Sequence, residues 1–209
     1  MANPYISFKD ITIRFGNKII VENFNLCINS GDRVVFKGPS GKGKSTLLQA
    51  LLGFQKNWGG GQIFFKGRIV DKHTIGLLRR SLSYTPQEVN FYKGTALDFI
   101  MLPFAFKNNT SLRPDMQRIK ELGQLLELDD DIFSKDTQML SGGEKQRIAL
   151  ISSMLLQKSI WLLDEPTSAL DSRSRALVAD MILKPSAQTI ISASHDDYWI
   201  EKCNKIIEL

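Results

Sequence analysis

Cysteine is almost missing from this 209-residue chain: it has only Cys27 and Cys203, far apart and in no CxxC or Cys/His spacing. That argues against a disulfide framework or a thiolate metal site, and both read as small buried or half-buried thiols. Long apolar runs are missing too. The stretch Phe99 to Phe106 has eight residues, well short of the roughly 18 that span a bilayer, so no segment is expected to cross a membrane. The opening MANPYISFKD has neither the basic start nor the continuous apolar stretch of a secretory signal, and the expected location is the cytoplasm. No run of five or more like charges occurs, and Arg79-Arg80 is the one adjacent arginine pair. The net charge of +5 therefore reads as solvated surface rather than a nucleic-acid stripe.

What remains has the composition of a globular unit, 43% hydrophobic and 23% charged, long enough for a substantial core. Residues 5 to 36 read as short antiparallel strands with turns at Gly16-Asn17 and Asn29 to Asp32. The strand Arg33 to Lys37 runs into a glycine-rich loop, and a helix from Lys44 to Leu52 follows, stopped by Gly53. Strand regions are expected at Gln62 to Val70 and Leu82 to Thr85. Helical periodicity then takes over at Thr95 to Met101 and Pro114 to Leu128 and reads as an insertion. A helix to about Leu156, a strand Ile160 to Leu163, a helix Ser172 to Leu183 and strands Thr189 to Ser192 and Lys205 to Leu209 complete the pattern. Strands alternating with helices imply an α/β fold whose parallel sheet is covered on both faces.

Three stretches carry chemistry. Gly38-Pro-Ser-Gly-Lys-Gly43-Lys44-Ser45 matches GxxxxGK[ST] between an expected strand and an expected helix. Its backbone N–H groups would curl around phosphate oxygens at a helix N-terminus, Lys44 would meet the β and γ phosphates, and the Ser45 hydroxyl would ligate Mg²⁺. Lys42, inside the loop, is expected to face solvent while lending positive potential to the site, and it is counted with Gly38 to Thr46 among the nucleotide-binding residues. Ile160 to Leu163 is a buried strand ending in Asp164-Glu165. Carboxylates at that sheet edge lie where open α/β sheets bind ligands, so Asp164 would hold Mg²⁺ and Glu165 would polarise an attacking water. Leu140-Ser141-Gly142-Gly143-Glu144-Lys145-Gln146-Arg147 opens a further helix and offers a second anion site at its N-terminus. One nucleotide cannot plainly use both helix ends, which suggests two nucleotides sandwiched between two copies. Lys145, Gln146 and Arg147 are expected to be exposed. His73 reads as a surface residue.

Together these stretches resemble the ATP-binding cassette (ABC) ATPase family: GPSGKGKST at 38–46 its phosphate loop, LSGGEKQR at 140–147 its signature, and WLLDEPTSALD at 161–171 its Asp-Glu strand and following loop. The resemblance implies a P-loop NTPase (RecA-like) core formed by residues 1–86 and 142–209, with an antiparallel β region at its start and a helical subdomain at 87–141, all within one cassette of residues 1–209. It implies that Gln87 senses the Mg²⁺ and water region and that His195 contacts the γ phosphate. It places the ring of Phe15 on adenine, Pro39, Ser40, Gly41 and Thr46 along the phosphates, and Ser168 and Asp171 at a dimer seam. The segment Ser134 to Met139 lacks the Gly-Glu-Xaa-Gly stretch of exporters with fused membrane domains, which implies a stand-alone subunit.

The function so implied is ATP hydrolysis that powers solute transport. Two copies, or a copy and a homologue, would close on two MgATP and push on integral membrane subunits, with the chain peripheral on the cytoplasmic face and no nucleic acid as partner. Phe91 and Tyr92 are the expected docking residues. The rival readings are a soluble ABC ATPase acting on nucleic acid or ribosomes, which generally carries coiled coils or paired cassettes, and a P-loop kinase, which would leave LSGGEKQR unexplained.

Overall fold

The computed structural model describes residues 4–54 and 58–209. Two sheets organise it. An antiparallel sheet of order β2-β1-β4-β5 is built from β1 (Ile6–Phe15), β2 (Lys18–Ile28), β4 (Trp58–Phe65) and β5 (Arg68–Ile69). A parallel sheet of order β6-β7-β8-β3-β9 is built from β3 (Arg33–Lys37), β6 (Leu82–Thr85), β7 (Ile160–Asp164), β8 (Thr189–Ala193) and β9 (Lys205–Glu208). The strand expected over 62–70 is two strands, because Lys66 (φ 51°) and Gly67 (φ 76°) take left-handed backbone and turn the chain into a hairpin.

The side-chain alternation of the parallel strands sorts the core into two halves. Val34, Phe36, Leu162 and Ile191 point to one cluster, shared with the antiparallel sheet and with helix α1 (Lys44–Leu51). Val35, Leu163 and Ile190 point to the other, shared with α5 (Gly142–Leu155) and α6 (Ser172–Ile182). Both faces of these strands are buried, which is why they are continuous apolar runs rather than alternating ones. Trp199 on α7 (Asp197–Glu201) is fully buried and donates its indole N–H to Ser192 Oγ at 2.9 Å. Cys203, packed near it, has its thiol pushed up to about 12 by burial and stays an inert side chain, while Cys27 is exposed.

Residues 87–141 carry α3 (Ala96–Met101), α4 (Met116–Leu125) and short 3₁₀ turns. Ile100, Phe104, Ile119, Leu122 and Phe133 of this segment bury into the same cluster as α5, so the helical region packs against the signature helix. Phe91 is half-buried at the edge of the helical cluster and stacked on Phe99 with ring centroids 3.9 Å apart, whereas Tyr92 stays exposed and donates its hydroxyl to the Asp98 carbonyl. Two short helices were not expected from periodicity: α2 (Ile75–Ser81), just before β6, and α7. Among the described residues, no helix is long and apolar enough to cross a membrane.

Candidate active site

Strands β3, β8 and β7 lie side by side, so their C-terminal ends deliver the glycine loop, Ser194-His195 and Asp164-Glu165 to one edge. The loop enters α1 through Gly43, whose φ of 91° is left-handed; a Cβ there would also stand 2.9 Å from Val21 Cγ2. No acidic residue sits in the first turn of α1 and no side chain caps it, so its positive end is left for a ligand. Lys44 Nζ, largely buried, donates to the carbonyls of Gly38 at 2.7 Å and Pro39 at 3.1 Å, which holds the ammonium across the loop.

Ser45 Oγ donates to Asp164 Oδ1 at 2.9 Å. Asp164 is only 3% exposed. Burial and the neighbouring Glu165 charge raise its pKa, against the Ser45 hydrogen bond, the Lys44 charge and a hydrogen bond from Tyr84. Tyr84 is itself pushed up by burial and by the Asp164 charge, so its phenol stays protonated as a donor. A buried carboxylate bonded to the Ser45 hydroxyl, with Ser45 and Gln87 lining one cleft, is a hard-oxygen donor set of the kind Mg²⁺ prefers.

Glu165 has a left-handed φ of 47°, unusual for a residue with a side chain. Its amide donates to the Ala193 carbonyl at 2.9 Å, and its own carbonyl accepts from Ser168 N at 3.2 Å and Ser168 Oγ at 3.0 Å. The turn so fixed aims the carboxylate at His195, with Oε2 2.8 Å from Nδ1. Thr167 Oγ1 donates to Asp196 Oδ2 at 2.9 Å and ties the same turn to the segment carrying His195.

A cleft of about 490 Å³ gathers Phe15, Ile20, Ser40, Gly41, Gly43, Lys44, Ser45, Thr46, Gln87, Glu165 and His195. Phe15, at the end of β1, is 49% exposed to it. Asp164 lies behind Ser45, Gly38 and Pro39 form the loop's base, and Lys42 is exposed without lining the cleft.

Ser141, Gly142, Gly143 and Asp171 do not line this cleft. Ser141 caps α5 in a reciprocal box: its Oγ accepts from Glu144 N at 3.2 Å and its N–H donates to Glu144 Oε2 at 2.7 Å, which holds Glu144 below the usual carboxylate pKa. Part of the expected anion site, the Ser141 side chain included, is thus engaged internally with Glu144. Asp171 caps α6, accepting from Ser174 N and Ser174 Oγ, and its pKa is lowered by those bonds.

The expectation that Lys145, Gln146 and Arg147 are exposed is corrected. Gln146 is 2% exposed and the other two are half-buried, because α5 lies along the segment after β7. Tyr84 and Ile20 are site residues that no sequence motif marked; both are ordinary strand residues, placed at the site only by strand order.

A family model described as "ABC transporter" matches residues 21–168. The Escherichia coli (strain K12) "Probable iron export ATP-binding protein FetA" is 30% identical over 210 residues, covering 99% of this chain and 92% of that protein. The Pectobacterium atrosepticum "Fe(3+) ions import ATP-binding protein FbpC 1" is 32% identical over 201 residues, covering 92% of this chain but 54% of that protein. A dimeric ATP-binding cassette in a post-hydrolysis state, bound to ADP and Pi, superposes with a TM-score of 0.83 at 27% identity, over 98% of this chain and 94% of the other.

Proposed function

The chain belongs to the ABC transporter family of ATP-hydrolysing cassettes, and from that premise we propose that two copies close on two ATP molecules and, by hydrolysing them, drive membrane subunits through a transport cycle. The observation that carries this reading is the single cleft joining the phosphate loop, Gln87, Glu165, His195 and an exposed aromatic at its rim. In it Phe15 stacks on adenine and Gly38 to Thr46 wrap the phosphates. Lys44 exchanges its two carbonyl partners for β and γ phosphate oxygens.

Ser45, Asp164 and Gln87 would hold Mg²⁺, whose charge, when bound, offsets that of the phosphate oxygens. Glu165, fixed by its turn, orients the attacking water and accepts its proton. His195 hydrogen-bonds the γ phosphate. The partner's Ser141, at the N-terminus of its helix, closes the site from the other copy, with Gly142 and Gly143 letting the backbone approach and Asp171 near the seam. Catalysis is then positioning and charge stabilisation.

Residues 87–141 act as the helical subdomain that faces the membrane subunits, with Tyr92 on the docking surface and the chain on the cytoplasmic side. Hydrolysis by the purified chain tests the reading. Wild type should release phosphate from ATP, and Lys44→Ala should lose both tight binding and turnover. Copurification with an integral membrane protein supports the transport role; copurification with nucleic acid would overturn it.

A further inference from the structure

We infer that Gln146 is a positioning residue for Glu165, joining the signature helix to the hydrolytic carboxylate of the same chain. The inference rests on the reading of Glu165 as the residue that orients water. Gln146 is buried at 2% exposure, and its Nε2 donates to the Glu165 carbonyl at 3.4 Å. That carbonyl also accepts from Ser168 N and Ser168 Oγ, both within the local turn, so Gln146 is the donor that reaches it from another element. The bond falls on a residue whose left-handed backbone is held only by its surroundings. A small rotation of that peptide would swing the Glu165 side chain away from His195.

The contact is part of a seam. Positions 143, 146 and 147 share one face of α5 at i, i+3 and i+4 spacing. Gly143 lies against the next loop so closely that a Cβ would stand 3.2 Å from the Ala169 carbonyl and 3.4 Å from Leu170 Cδ2. Arg147 Nη1 donates to Ser174 Oγ at 3.1 Å, and Ser174 Oγ donates to Asp171 Oδ2 at 2.9 Å. From Glu165 to Ser174 the chain is therefore laid along the helix that begins at Ser141. A shift of α5 on engaging the partner's nucleotide is passed through Gln146 to Glu165 in its own site, which links the two sites of a dimer without a direct contact between nucleotides.

The test is a double-mutant cycle on ATP hydrolysis with Gln146→Met, which keeps the volume and removes the donor, and Glu165→Gln. Gln146→Met alone should lower kcat about tenfold, the scale of one lost hydrogen bond, with nucleotide Kd and Tm close to wild type. Added to Glu165→Gln, it should cost nothing further in single-turnover hydrolysis. Gln146→Asn, which keeps the amide but withdraws it by one methylene, should repeat the pattern and serves if the Met variant does not fold. A full kcat in both variants, or an equal loss with and without Glu165, overturns the inference. If Glu165→Gln itself hydrolyses ATP normally, the functional reading fails instead.

Discussion

His195 Nδ1 lies 2.8 Å from Glu165 Oε2, with the imidazole side chain 68% exposed and the carboxylate side chain only 10%. The carboxylate is thus fixed from behind by its turn, while the histidine reaches it from the open side and is free to turn toward a phosphate. Removing the histidine should disturb turnover more than binding. His195→Ala is expected to lower kcat by about tenfold to a hundredfold, the range for a lost transition-state donor, while ATP Kd changes by less than about threefold. Steady-state hydrolysis with a binding titration checks this; unchanged kcat would remove His195 from the mechanism.

Asp164 trades stability for function. Its folded pKa is raised by burial, so between the unfolded and folded values the native state binds more protons than the unfolded one, and stability falls as pH rises through that window. At neutral pH the charged form is a cost. Asp164→Asn removes the charge and can still accept the Ser45 hydrogen bond, so its Tm without nucleotide should be higher than that of wild type. Mg²⁺-dependent hydrolysis should be lost. A Tm below that of wild type would contradict this account of the site.

The aromatic at the rim gives a graded test. Phe15→Ala should raise the KM for ATP about tenfold, from the loss of roughly 1.5 kcal/mol of ring stacking, with kcat little changed, and Phe15→Tyr should behave as wild type. A KM unchanged in the alanine variant would return Phe15 to an ordinary strand-end residue.

Much of this was legible in the sequence because its information is local. The spacing from Gly38 to Ser45, the acids after Ile160 to Leu163, and the serine and glycines opening a helix at 141 each name their own chemistry. The apolar runs Val34 to Phe36 and Ile190-Ile191 likewise report burial on both faces. Illegible was whatever depends on which elements lie together. Gln146 is polar and follows a lysine, so it reads as surface until α5 is laid along the segment after β7. Tyr84 reaches Asp164 only because β6 pairs with β7. Helix α2 escaped because it is only about two turns long, with Leu78 its one fully buried side chain.

Ser141 stands outside the cleft of its own chain, so the two halves of the proposed site should complement each other across copies. Lys44→Ala and Ser141→Arg, each inactive alone, should regain a measurable fraction of wild-type hydrolysis when mixed, since one composite site of the mixed dimer is intact. Mixed dimers that form but hydrolyse no ATP would argue against a site shared between copies.

In the proposed cycle Glu165, held in its turn beside His195, performs the hydrolytic step, and its loss leaves a closed ATP-bound pair. The most direct measurement is single-turnover hydrolysis by Glu165→Gln with gel filtration in MgATP. Hydrolysis should fall about a hundredfold or more, the scale of a lost general base, with ATP binding retained and the chain eluting as a dimer. Near-normal turnover from a monomer would contradict the account.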